Sequence, residues 1–204
     1  MPIQQAHLIL DAVDGQAYTI YATPKQAHHG TEGIAIATRL PSSQSEVLHL
    51  PGGERVAQRV MIDVDNHSLC FANTHLHHLP QEDESERLPQ MKALLEWLST
   101  VDTPTIITGD MNTIPTRETM QLATAQYHSA YQQVHGHEPD YTFPAPLATA
   151  QYPDHRVTID YILISPNTLH ATSARIVGDE THGTDPILSP SDHCGILATI
   201  ELTG

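Results

Sequence analysis

Leu69-Cys70-Phe71-Ala72-Asn73-Thr74-His75-Leu76 begins apolar and ends polar, the pattern of a strand whose tip leaves the core. Three further polar clusters sit at the ends of apolar strands. Gly109-Asp110-Met111-Asn112 follows the run from Thr105 to Thr108, Ile159-Asp160-Tyr161-Ile162 opens the run from Ile159 to Ser165, and Ser191-Asp192-His193 precedes the run from Gly195 to Leu202. Strand ends project side chains into a shared cleft, so the four clusters read as one site. Together they supply three carboxylates, two histidines and two amides.

That inventory suits hydrolysis of a phosphate ester. Carboxylates hold a hard cation through oxygen, one carboxylate takes the proton of water, and imidazoles stabilise charged phosphoryl oxygens. The sequence contains no Gly-x-Ser-x-Gly elbow, no Walker loop, no His-Glu-x-x-His and no Cys-x-x-Cys. A covalent serine or thiol nucleophile is not needed.

Other short apolar runs, Ala17 to Tyr21, Gly33 to Thr38 and Gln58 to Val64, also read as strands. Leu88, Met91, Leu94, Leu95 and Leu98 fall at helical spacing and predict a helix over Leu88 to Ser99, with Pro89 near its start where a missing N–H costs little. A second helix is expected from Thr116, with Met120, Leu122 and Ala123 as its apolar members, and a third over Ile3 to Val13. The stretch from Tyr127 to Arg156 has no clean period and reads as a long loop that shapes specificity or seals the sheet edge.

The chain of 204 residues, 39% of them hydrophobic, supports one core and a single domain over 1–204. Nine Lys+Arg against 24 Asp+Glu give a formal charge of −15, which repels polyanions at long range and argues against tight nonspecific nucleic-acid binding. Cys70 and Cys194 read as buried thiols, and no stretch approaches the roughly 20 apolar residues that span a bilayer. A cytoplasmic location follows as the expectation.

In order and spacing, Asn-Thr-His-Leu, Gly-Asp-Met-Asn, Ile-Asp-Tyr-Ile and Ser-Asp-His resemble the endonuclease/exonuclease/phosphatase superfamily, with its deoxyribonuclease I, sphingomyelinase, deadenylase and inositol-phosphatase branches. Glu32-Gly33-Ile34-Ala35-Ile36 is similar to an early strand of that family. The resemblance implies an α+β fold, a four-layer α/β/β/α sandwich of the deoxyribonuclease I type. It implies Asp110 as general base, Asn112 as the group that orients water or helps bind phosphate and metal, and Asp160 as the partner of His193, which contacts the scissile phosphate. His75 becomes a second phosphate-stabilising imidazole. Asp192, Asp110, Asn112 and His193 become the groups that hold Mg²⁺ or Mn²⁺.

The chain departs from that pattern at its amino terminus. Family members open with a strand ending in Asn and a later strand ending Leu-Gln-Glu, whose glutamate is the principal metal ligand. Here the first strand is expected to be missing from the sequence, and Ile3-Gln4-Gln5 either stands in for Leu-Gln-Glu with Gln5 at the glutamate's place or belongs to a helix from Gln4 to Val13. Two functions of different class follow. One is a metal-dependent hydrolase of a small-molecule, lipid-like or nucleic-acid phosphate ester; the other is a truncated, catalytically impaired family member acting as a binding or assembly module. The missing strand also implies an exposed sheet edge through which a homodimer can form.

Overall fold

The computed structural model describes residues 18–25, 32–146, 152, 155–179 and 191–203. Within them the elements run β1 (Thr19–Pro24), β2 (Gly33–Thr38), β3 (Ser42–His49), β4 (Val56–Val64), β5 (His67–His75), α1 (Arg87–Leu98), β6 (Thr105–Asp110), α2 (Glu118–Thr124), β7 (His128–Ser129), α3 (Ala130–His135), β8 (Asp160–Ile164), β9 (Leu169–Val177) and β10 (Gly195–Leu202). Gln5 and the helix expected over Ile3 to Val13 lie outside the described residues.

Six strands form one sheet in the order β3-β4-β5-β6-β8-β7. β5 and β6 are parallel, as a crossover through α1 requires, and the other neighbours are antiparallel. Alternation along each strand sorts the side chains between two faces. Cys70, Ala72, Ile107 and Leu163 face the helices and share a core with Met91, Leu94, Leu98 and Met120. Leu69, Ile106 and Ile164 face the other way, onto Leu169, Ala171 and Ile200 of the antiparallel β9-β10 ribbon. Val60 and Ile62 meet Ile36 of the β1-β2 ribbon. Helices α1 and α2 cover one face of the six-stranded sheet and the ribbons the other, with α3 packed against β8 and β9 on the ribbon side, an α+β sandwich.

Helix α1 forms where the apolar spacing places it. It buries Met91, Leu94, Leu95 and Leu98 against the sheet, each fully buried leucine contributing about 1.5–3 kcal/mol. Two buried polar residues on the same helix have a different task. The Arg87 guanidinium donates to the carbonyls of Leu79, Pro80 and Gln81 at 2.7, 2.9 and 3.3 Å. Gln90 accepts from His77 N–H at 2.9 Å and donates to the Pro51 carbonyl at 3.0 Å. The chain leaving β5 just after His75 is therefore fixed by the helix that packs beneath it.

Three elements depart from the sequence expectation. β3 lies at the sheet edge with β4 as its ladder partner and a largely exposed pattern, so its polar sequence Ser42-Ser43-Gln44-Ser45-Glu46 gives no burial signal. β9 loses its two-residue alternation at a bulge, where Thr199 pairs with Ser173 but Ile200 pairs with Ala171, leaving Thr172 without a place in the register. The region from Tyr127 to Arg156 is not a continuous loop. It holds β7 and α3, the latter opened by the Ser129 side chain accepting from Gln132 N–H and closed by Gly136 in the left-handed conformation.

Candidate active site

Register brings the polar tips of three strands to one level. His75 pairs with Asp110 across β5 and β6, and Asp110 pairs with Asp160 across β6 and β8. One step down the same face stand Asn73, Thr108 and Ile162, and below them Phe71, Ile106 and Ile164. Going up the sheet, the face changes from hydrocarbon to amide and hydroxyl, and then to imidazole and carboxylate. The Asn73 amide donates to the Ala35 carbonyl of β2 at 3.1 Å, which ties this face to the ribbon above it.

The turn after Asp110 is locally determined. Gly109 has φ 142°, and a Cβ there would run into the Thr74 carbonyl of β5, so glycine alone allows the two strands to approach beside the site. Asp110 Oδ1 accepts from Asn112 N–H at 2.7 Å, and Asn112 adopts φ 51°, a left-handed conformation that asparagine tolerates. The Asn112 side chain is buried and donates to the Leu76 carbonyl at 3.0 Å. Its amide nitrogen thus braces β5 against the turn.

Asp160 and His193 meet across 33 residues of sequence, Nδ1 to Oδ2 at 2.9 Å. A threonine that no motif announces holds both sides. The buried Thr142 hydroxyl accepts from the N–H groups of Ile159 and Asp160 at 3.0 and 3.1 Å, and its carbonyl accepts from Cys194 N–H at 2.7 Å. The Phe143 ring lies 4.9 Å from the His193 ring, centroid to centroid. Ala145 N–H donates to the Asp192 carbonyl at 2.6 Å. The segment expected to shape specificity is, from Thr142 to Ala145, the strap that seats this pair.

A model of the Endonuclease/Exonuclease/phosphatase family matches residues 3–193. The chain belongs to this family. No curated protein matches it in sequence. Among solved structures of similar fold are the human Nocturnin catalytic domain with bound sulfate anion (24% identity, TM-score 0.74, 98% of this chain and 76% of that one), D. rerio TDP2 complexed with single strand DNA product (19%, 0.75, 98% and 82%), and the Bacteroides thetaiotaomicron mannosyl-6-phosphatase Bt3783 (16%, 0.74, 99% and 82%). These likenesses extend the family assignment to the fold, which is that of the deoxyribonuclease I type.

Within this family member the local electrostatics separate the site groups. Burial and the neighbouring Asp160 lift the Asp110 carboxyl to about 6, although the Asn112 N–H and the charges of His193 and Arg55 pull it down. Burial pushes the His193 imidazole down, but its hydrogen bond to Asp160 and the charges of Asp160, Asp110 and Asp192 outweigh this and raise it above the usual histidine value. His75 goes the other way. Burial and then the charges of Arg55, Lys25 and His193 push it down to about 3, so it is neutral at physiological pH. Its Nε2 lies 3.5 Å from Asp110 Oδ2.

The resemblance implies Asp192, Asp110, Asn112 and His193 as the groups that hold the metal. Atoms of Asp110, Asp160 and His193 lie within 4.8 Å of one another; Asp192 is exposed, and the Asn112 amide nitrogen donates to the Leu76 carbonyl. Two half-buried carboxylates side by side, Asp110 lifted toward neutrality by burial and then by Asp160, form a donor set that fits a hard divalent cation. Arg55, just before β4, was not singled out from the sequence. It follows Gly52-Gly53-Glu54 in a turn with no recognisable motif, and only the pairing of β4 with β5 brings it beside His75.

Proposed function

We propose that this chain hydrolyses phosphate esters with the help of Mg²⁺ or Mn²⁺, and that its substrates are small rather than polymeric. The observation that carries the reading is the Asp160–His193 hydrogen bond of 2.9 Å standing beside Asp110 at the same level of the sheet. Asp110 takes the proton of the attacking water. With a carboxyl near 6 it is mostly ionised at neutral pH yet basic enough to accept that proton. His193, held protonated by Asp160, donates to a phosphoryl oxygen as the P–O ester bond breaks. Neutral His75 adds a hydrogen bond without charge.

Asp110 and Asp160 are the groups to hold the cation, with His193 beside them. When bound, it supplies Lewis-acid polarisation of the phosphoryl group. The names of similar structures span a sugar phosphatase and a protein complexed with a DNA product. A formal charge of −15 disfavours the polyanion. Cys70 and Cys194 are free and buried, which suits a reducing cytoplasm. Among the described residues no helix is long and apolar enough to cross a membrane.

Calorimetric titration with Mg²⁺ and Mn²⁺, paired with hydrolysis of p-nitrophenyl phosphate and bis(p-nitrophenyl) phosphate, tests the reading. Metal binding with metal-dependent release of nitrophenol, lost in Asp160→Asn, is expected. A chain that binds neither ion and cleaves neither ester is a binding module instead.

A further inference from the structure

Two of the nine lysines and arginines in the chain, Lys25 and Arg55, line one cavity of about 20 Å³ that they share with His75, Glu32, Gly33 and Val56. Their circumstances differ. Lys25 is ion-paired with Glu32. Arg55 is only 9% exposed, and its Nη1 has no hydrogen-bond partner among the described residues. A buried polar group without a partner carries a penalty of about 1–3 kcal/mol, and more when charged. The fold tolerates that penalty within reach of the site.

We propose that Arg55 holds a non-bridging oxygen of the substrate's phosphate group, with Nη1 as the donor. The inference rests on the phosphoester reading of the site and extends its binding machinery to a residue outside the four motifs. Three observations point to phosphate. The cavity has room for about one water-sized atom, so it takes a terminal oxygen and not an ester carbon chain. Its wall carries the positive groups of Lys25 and Arg55 against the single carboxylate of Glu32, in a chain that is strongly acidic elsewhere. Finally, His75 lines the cavity beside Arg55 and its Nε2 lies 3.5 Å from Asp110 Oδ2, so an oxygen seated there belongs to a group beside the general base. A guanidinium keeps its charge even when buried and matches the fork of a phosphate.

The test is calorimetric titration of inorganic phosphate into the full chain and into Arg55→Gln and Arg55→Lys, with circular dichroism confirming the fold of each. Arg55→Gln should weaken binding about 10- to 100-fold, and Arg55→Lys by less, because lysine keeps the charge but does not place an N–H where Nη1 stands. Phosphate binding of equal strength in Arg55→Gln and wild type overturns the proposal, as does a wild type that binds no phosphate at millimolar concentration. If Arg55→Gln does not fold, ¹⁵N spectra of the wild-type guanidinium groups decide instead. Arg55 signals that move on adding phosphate support the proposal, and signals that stay in place overturn it. The two readings fail separately. Arg55-dependent phosphate binding without ester hydrolysis removes the hydrolase and keeps the oxyanion site, whereas hydrolysis with an unchanged KM in Arg55→Gln removes Arg55 and keeps the hydrolase.

Discussion

The same three strands carry two unlike ends on one face. At one end Phe71, Ile106 and Ile164 stand in register and pack under the β9-β10 ribbon; four residues along each strand, His75, Asp110 and Asp160 stand in register with charge and imidazole instead. Backbone pairing is equally regular at both. The lower row gains stability by giving up water, while the upper row gives up water against its own charge, and the raised Asp110 carboxyl is the measure of that cost. The ladder holds reactive groups where, taken alone, they would rather be solvated or neutral.

The largest effect expected from disturbing this contrast is on catalysis. Asp110→Asn keeps an oxygen to accept from Asn112 N–H but removes the base, so activity should fall about 10²- to 10⁴-fold with an unchanged or higher melting temperature. Steady-state assays with thermal melts check this, and a lower melting temperature would show that the upper row stabilises the fold after all. Next, Gly109→Ala should cost about 3 kcal/mol or more, since strain at a glycine-only φ adds to collision with the Thr74 carbonyl. Urea denaturation measures it. On the helix-facing side of the same sheet, Leu163→Ala should cost about 2–5 kcal/mol and leave kcat of the folded fraction intact.

The smallest effect is the most diagnostic. Folding depresses His75 from 6.5 to about 3, so the unfolded chain binds its proton more readily between those values and stability is lost as pH falls below 6.5. Folding raises Asp110 from 3.8 to about 6, so here the folded chain binds the proton more readily and stability is lost as pH rises from 4 to 6. The two slopes oppose. Relative to wild type, His75→Gln should gain stability on acidification from pH 6.5 to 4.5 and Asp110→Asn should lose it. The His75 side chain is 38% exposed, so its share is softened by solvent. Parallel melts of both variants showing the same pH slope as wild type would mean that neither group is perturbed.

Much of this was legible before any coordinates. Gly33–Thr38 and Gly195–Leu202 are alternating or apolar runs bounded by glycine, and they form strands over those same residues. The leucines of α1 announce their face by spacing. The polar strand tips announced a shared cleft because each interrupts an apolar run at its end. What stayed hidden lacks any local signal. β3 is polar because it is largely exposed among the described residues, and β9 loses its alternation at a bulge that only its partner strand reveals. Arg55 and Thr142 act through contacts 20 or more residues away in one case and 18 in the other, and a lone arginine or threonine in a turn has no pattern to read.

Thr142 also bears on the order in which the molecule completes itself. Its hydroxyl reaches residues 17 and 18 positions later, its carbonyl reaches Cys194, and the pair it seats is separated by 33 positions. Closing long segments costs chain entropy before any contact rewards it, so such junctions form after the local hairpin of β4 and β5. A nascent or refolding chain can therefore hold the β4-β5 hairpin while still lacking the Asp160–His193 pair. Competence for chemistry waits on such long-range closures, which makes the imidazole environment of His193 a marker of tertiary structure rather than of secondary structure.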